Sequence, residues 1–437
     1  MTKNQIKKRI FKYIKAFQKL DRKEKKFIPG KSKVRYAGAF YDEKELIYMC
    51  DAMLEGWFGI GKLGRLLEEK LTKYIGSKST VLVNSGSSAS LVSMSTLINN
   101  LNPNKIPVAS EVITPACTFA TTVGAIVQTG LVPVFVDVSL GNYNVIPEMV
   151  AKAITKKTKV MFLPHTLGNP NQMDKIKQIA KQYKLLLVED NCDALGSEYN
   201  GQKTGSFGSL ATSSFYPAHH MTMAGEGGAV YINDLTLLKA VSTIRNWGRG
   251  CWCSDKNSGY LGACKQRFNF KLDGISIDHK YLFLTLGYNL KPVEIQAAMG
   301  LAQMDKFDQM TKLRALNFKQ LNNFFKKHEK YFILPESFPK AKPSWFAYPL
   351  TIREDAPFDR VGITQFLEEN LIETRTLFAG NITRQPAMKG VNYKIAGKLT
   401  NSDKIMKDTF FIGTGPHITT THVNYIQEIF TKFFKKI

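Results

Sequence analysis

"STVLVNSGSSASLVSMSTLINN", Ser79–Asn100, decides the fold class. Its opening is apolar without alternation, then come small residues around a glycine, then a helical pattern. A strand that is apolar at every position is buried on both faces, the habit of parallel sheets. Small residues between such a strand and a helix start let an anion approach the free N–H groups there. A tight turn with a serine cap is the plainer reading of the same residues. The spacing is neither that of a Walker loop nor G-x-G-x-x-G.

The unit then repeats. "SEVITPA" predicts a strand and "TFATTVGAIVQTG" a helix; "VPVFVDV" a strand and "IPEMVAKAI" a helix; "TKVMFLPH" a strand and "QMDKIKQIAKQYK" a helix. "LLLVEDN" and later "GGAVYIN" add two strands. The expected fold class is α/β, a mostly parallel central sheet with helices on both faces. "VEIQAAMGLAQMDKFDQMTKLRALNFKQLNNFFKKH" predicts one long helical stretch, "SWFAYPLTI" a strand and "THVNYIQEIFTKFFKKI" a closing amphipathic helix, together a smaller α+β C-terminal domain. At 437 residues the chain is long for one simple core. The expected division is a basic helical segment (1–35), a large α/β domain (36–300) with a Cys-rich insert near 245–280, and a small domain (301–437).

The net charge is +24, from 60 basic and 36 acidic residues. The lysines are spread, with denser runs only at the ends, which argues for solvated surface rather than a nucleic-acid-binding module. No run of about 18 apolar residues occurs. The N-terminus lacks the pattern of a secretory signal, so the expectation is a cytoplasmic chain without membrane association. Its six cysteines are then expected reduced, and where clustered to bind metal.

Glu189-Asp190 closes "LLLVED". A carboxylate at the carboxyl end of a buried strand stands where α/β sheets hold ligands, and can pair with a protonated pyridine nitrogen; a surface-turn carboxylate is the bland alternative. A phosphate-type turn, a strand-end Asp, and the loop "SFYPAHHMTMAGEGG" (Ser214–Gly228) follow in order. With "WFGIGKLGRLLEEKL", "ITPACTFATTVGAI" and "LGYNLKPVEIQAAMGLAQMDKF", nearly the whole chain resembles the DegT/StrS sugar aminotransferases, fold-type I enzymes that use pyridoxal phosphate (PLP). The resemblance implies site residues. Gly86, Ser87, Ser88 and Ser214 hold the cofactor phosphate. Phe119 stacks on its ring, Asp190 pairs with the ring nitrogen, and Asp193 stands where that family has Gln. Asn289 reaches the phosphate of a neighbouring subunit, which implies a homodimer with shared active sites.

In that family the loop reads S-F-x-x-x-K, and the lysine tethers the cofactor. Here that position is His219, or His220 if the loop is counted from its Glu-Gly-Gly end; the Ser-Phe end favours His219. Histidine cannot form that tether. It can serve as a general base beside pyridoxamine phosphate (PMP) held non-covalently, which turns amino transfer into loss of a hydroxyl β to the imine. A non-catalytic scaffold on the same fold is the null.

Cys192, Cys251, Cys253 and Cys264 form a quartet. Four thiolates suit a [2Fe–2S] cluster or a zinc ion. The resemblance favours [2Fe–2S], because one lysine-to-histidine branch of the family carries such a cluster and dehydrates a CDP-linked 4-keto-6-deoxyhexose at C3, with electrons from a flavin and iron–sulfur reductase. The ten-residue gap before Cys264 exceeds the spacing of that branch, as a loop insertion would make it. A metal-free dehydratase is the alternative. Cys50 and Cys117 read as packed apolar-segment residues. Arg245, Arg249, Tyr216 and Phe346 are the candidates for the sugar.

Overall fold

The computed structural model describes residues 1–252 and 267–437. An eight-stranded sheet forms its centre, in the spatial order Ser79–Val83, Gly228–Ile232, Leu210–Ser214, Leu186–Asp190, Thr158–Pro164, Glu111–Pro115, Val132–Val136 and Lys394–Ile395. Gly228–Ile232 runs antiparallel to both its neighbours; the other pairings are parallel. Both faces are covered, as uninterrupted apolar strands require. Val81, Val83, Val160, Phe162, Val188 and Val230 pack with Ala89, Val92 and Leu97 of the helix Gly86–Leu97 and with Val241 and Ile244 of the helix Leu238–Arg245. The alternate residues face the other way. Leu82, Ala211, Ala229 and Tyr231 meet Leu67 and Leu71 of the helix Lys62–Ile75, and Met161 and Leu187 meet Ile176 and Ile179 of the helix Met173–Tyr183.

The smaller unit is an antiparallel sheet, Phe332–Ile333, Ala347–Ile352, Thr409–Gly413 and Arg375–Thr376. The helices Phe307–Phe325, Arg360–Glu369 and Thr420–Phe434 close its core. Phe325 meets Phe430 edge-on at 4.8 Å and 88°, a geometry favoured by ring quadrupoles.

One expectation needs correction. The long helical stretch is two helices, Glu294–Asp305 and Phe307–Phe325. The break is at Lys306 (φ −114°, ψ 7°), whose Nζ is drawn to Asp42 at 2.6 Å and Glu45 at 2.8 Å. Lys394–Ile395 pairs with Val134 and Phe135 at the edge of the large sheet.

At the N-terminus, Thr2 and Gln5 form a capping box on the helix Lys3–Glu24. That helix rests on the helix Glu43–Glu55 through Lys7–Asp51 and Arg22–Glu43 ion pairs.

Candidate active site

The strands ending at Val83, Pro115, Pro164, Asp190 and Ser214 point the same way, and the segments leaving them converge on one cavity of about 620 Å³. This is the carboxyl-end crevice where open α/β sheets take ligands.

Its floor is the start of the helix Gly86–Leu97. Ser85 caps it, its Oγ accepting from the Ser88 N–H at 3.1 Å. The first N–H groups of the helix have no carbonyl behind them within it. A Cβ on Gly86 would sit 2.5 Å from Ser214 Cβ and 3.1 Å from Cys192 Sγ, so only glycine lets these segments close together. Gly86, Ser87 and Ser214 line the cavity. Ser88 does not; its hydroxyl meets Ser85 Oγ at 2.9 Å in the cap, while Ser90, two residues further along the helix, is in the lining.

Phe119 and Asp190 also line the cavity. Phe119 is 55% exposed and stands edge-on to Phe378, 6.1 Å away. Asp190 is buried; Oδ2 accepts from Thr122 Oγ1 at 2.7 Å and Oδ1 from the Cys192 N–H at 3.1 Å. Such bonds fix the carboxylate in place. These residues fit PLP or PMP: N–H donors and hydroxyls for a phosphate, an exposed ring for stacking, and a fixed carboxylate for a ring nitrogen.

The cofactor loop begins at Ser214. His219 lines the cavity with Nδ1 3.2 Å from Asp193 Oδ1, close but not aligned as a hydrogen bond. Its ring stands 5.5 Å from Phe346 and 6.4 Å from Tyr216, both of which line the cavity. His220 is buried elsewhere, against the Ser344 carbonyl. Behind Asp193 lies the buried Arg314; burial lowers its guanidinium pKa to about 10, and the Asp193 charge opposes that shift.

Cys192 lines the cavity too. Burial first, and then the charge of Asp190, push its thiol pKa up. Cys251 is buried and its Sγ lies 3.7 Å from His279 Nε2, away from the cavity lining. Cys253 and Cys264 lie outside the described residues. Among the described residues no group of three or more His, Cys, Asp or Glu could hold a metal ion. Cys117 is fully buried, and burial raises its pKa; Cys50 is half-buried.

Asn289 is outside this chain's cavity. It accepts from Lys291 Nζ at 2.7 Å. Burial first, and then the nearby Arg245 and Arg249, lower the Lys291 pKa to about 8. Arg245 and Arg249 are also absent from the lining: Arg245 donates to the Leu82 carbonyl at 2.9 Å, and Arg249 stacks on Trp247 at 4.5 Å.

Among the lining residues that had no place in the sequence reading are His165, Tyr36, Arg375 and Phe378. His165 was findable, since it follows a strand end as Asp190 does. Its Nδ1 accepts from the Asn171 N–H at 3.1 Å, so Nε2–H donates to Glu189 at 2.9 Å. Glu189 also accepts the N–H groups of Gly205, Phe207 and Gly208. Tyr36 and Arg375, stacked at 4.4 Å, come from segments more than 330 residues apart, so no local pattern marks them.

Known proteins agree with this geometry. The chain is 40% identical over 437 residues to the lipopolysaccharide biosynthesis protein RfbH of Salmonella typhimurium, covering 99% of both. It is 43% identical over 413 residues to the dTDP-4-dehydro-2,6-dideoxy-D-glucose 3-dehydratase of Saccharopolyspora spinosa, covering 94% of this chain and 88% of that one. A solved structure of the Escherichia coli GDP-4-keto-6-deoxy-D-mannose-3-dehydratase with bound hydrated PLP superposes with a TM-score of 0.82 at 26% identity, covering 91% of this chain and 99% of that one. Residues 41–431 match the DegT/DnrJ/EryC1/StrS aminotransferase family, and the chain belongs to it.

Proposed function

We propose that this protein is a PMP-dependent dehydratase that removes the C3 hydroxyl of a nucleotide-linked 4-keto-6-deoxyhexose. The observation that carries the reading is His219, whose imidazole lines a cavity with residues that fit the cofactor; the resemblance makes its position that of the tethering lysine. The 3-dehydratase names of its relatives support the same reaction.

PMP supplies an amine that can condense with the C4 ketone and a ring that can carry the electron pair released at its C4′ carbon. Gly86, Ser87 and Ser214 hold its phosphate end, Phe119 its face, and Asp190 its ring nitrogen. His219 moves the proton. Its Nδ1 faces Asp193, leaving Nε2 as the atom that accepts and returns it. Arg375 and Tyr36, on the small-unit side, stand ready for the anionic nucleotide sugar.

In the finer reading the nucleotide is CDP. Cys192, Cys251, Cys253 and Cys264 would hold a [2Fe–2S] cluster, the group that would supply single electrons drawn from a flavin and iron–sulfur reductase; the net change is loss of water and gain of two electrons and two protons, giving a 4-keto-3,6-dideoxyhexose for surface polysaccharide. What supports this is that one chain carries both the cysteine quartet and the histidine loop, together with the identity to RfbH. The protein works as a homodimer whose Asn289 completes the neighbouring site.

Iron and acid-labile sulfide in protein purified without oxygen test the finer reading. Equal amounts, near two per chain, are expected, and lost in Cys251→Ser. An iron-free protein that still dehydrates the sugar would replace it with the metal-free reaction.

A further inference from the structure

The loop has two histidines, and the second lies outside the cavity. His220 is 2% exposed. Its Nε2–H donates to the Ser344 carbonyl at 2.6 Å. A carbonyl only accepts, so the proton is on Nε2 and Nδ1 is bare; Nδ1 is buried without a hydrogen-bond partner. Burial, and then the Arg314 guanidinium, push its pKa well below the usual histidine value, so the ring stays neutral.

Ser344 opens a short segment that other buried groups grip. The Ser344 N–H donates to Ser197 Oγ at 2.9 Å. Arg314 Nη1 donates to the carbonyls of Trp345 at 3.3 Å and Phe346 at 2.7 Å. Thr414 Oγ1 lies 3.1 Å from both of the same oxygens. Phe346 then presents its ring to His219 at 5.5 Å.

We infer that His220 is a positioning residue: by tying the cofactor loop to Ser344–Phe346, it fixes the imidazole of His219 between Asp193 and Phe346. The inference rests on the reading of His219 as the proton carrier. A displacement of about 1 Å at such a group is enough to slow chemistry a hundredfold. The donor matters and charge does not, so an amide that reaches the same carbonyl can stand in for the ring.

The test compares His220→Leu with His220→Gln in the full chain. One measurement is kcat and KM with PMP; the other is the imidazole NMR signal of His219 in protein free of cofactor. His220→Leu is expected to lower kcat roughly tenfold or more with little change in KM, and to shift the His219 signal. His220→Gln, whose amide can donate to Ser344, is expected to recover most of both. A wild-type kcat and an unmoved His219 signal in His220→Leu would overturn the inference, as would equal losses in two variants that melt like the wild type. Should His220→Leu fail to fold, Phe346→Leu replaces it: the clamp stays and the ring against His219 goes, so an unmoved His219 signal there also overturns it. His219→Asn separates the two ideas, because full activity in that variant defeats the proton-carrier reading whatever His220 does.

Discussion

His219 and His220 are neighbours in sequence with opposite environments. One ring faces a cavity and a carboxylate; the other is sealed against a carbonyl. Replacing a general base typically slows turnover about 10²–10⁴-fold, so His219→Asn is expected to lose that much kcat while still binding cofactor. His219→Lys restores the amine; after borohydride reduction, mass spectrometry should find the cofactor covalently attached in this variant and not in the wild type. The sequence showed both histidines and the Ser-Phe end of the loop favoured the first, but the partner that fixes the second, Ser344, is 124 residues away. Ser88 shows the converse. Its pattern suits a phosphate ligand, and here its N–H donates to the Ser85 cap and its hydroxyl accepts from Ser85 Oγ, because an N-cap serine takes the same helix-start N–H groups that an anion would.

The elements hold the site through carboxylates aimed at helix and loop N–H groups. The helix Lys62–Ile75 starts at Gly61, which has no capping side chain of its own. Glu294, from the first turn of another helix, supplies the cap: Oε2 accepts from the N–H groups of Gly61 at 2.7 Å and Gly64 at 3.2 Å, and Oε1 from Leu63 at 2.6 Å. Glu294→Ala strands these donors, and we expect a loss of about 2–4 kcal/mol, read by urea unfolding. Glu294→Gln, which keeps one acceptor oxygen, should lose less. Most strand and helix identities between residues 79 and 232 were legible because apolar runs and amphipathic runs alternate there; the strand Leu210–Ser214 was not, since "LATSS" carries small and polar residues where an apolar run would mark a buried strand. The break at Lys306 was not, since apolar periodicity continues across it and the cause, Asp42 and Glu45, is remote.

Across the molecule, two units meet at one cavity, and remote contacts tie the N-terminal segment to the C-terminal part of the chain. His417, near the C-terminal helix, reaches the Arg35 carbonyl at 3.2 Å. Burial is the main cause that lowers its pKa to about 4. A histidine with a lowered folded value favours the neutral ring, so its contribution is full above the unfolded value of about 6.5 and drains away as pH falls toward 4. Melting temperature should therefore fall across that window, and His417→Gln should flatten the fall; an unchanged slope would remove His417 as its cause. The mostly parallel sheet could be read from sequence because many of its strands follow one another with short helical crossings. The cavity's far wall could not, because Tyr36 and Arg375 join it only after both units fold. The central claim, that this aminotransferase-family chain removes an oxygen instead of adding a nitrogen, is tested most directly by mass spectrometry of the nucleotide sugar after incubation with the protein and PMP in ¹⁸O-labelled water. The C3 oxygen should be lost or exchanged with wild-type protein and retained with His219→Asn; a product carrying a C4 amino group with its C3 oxygen intact would contradict the account.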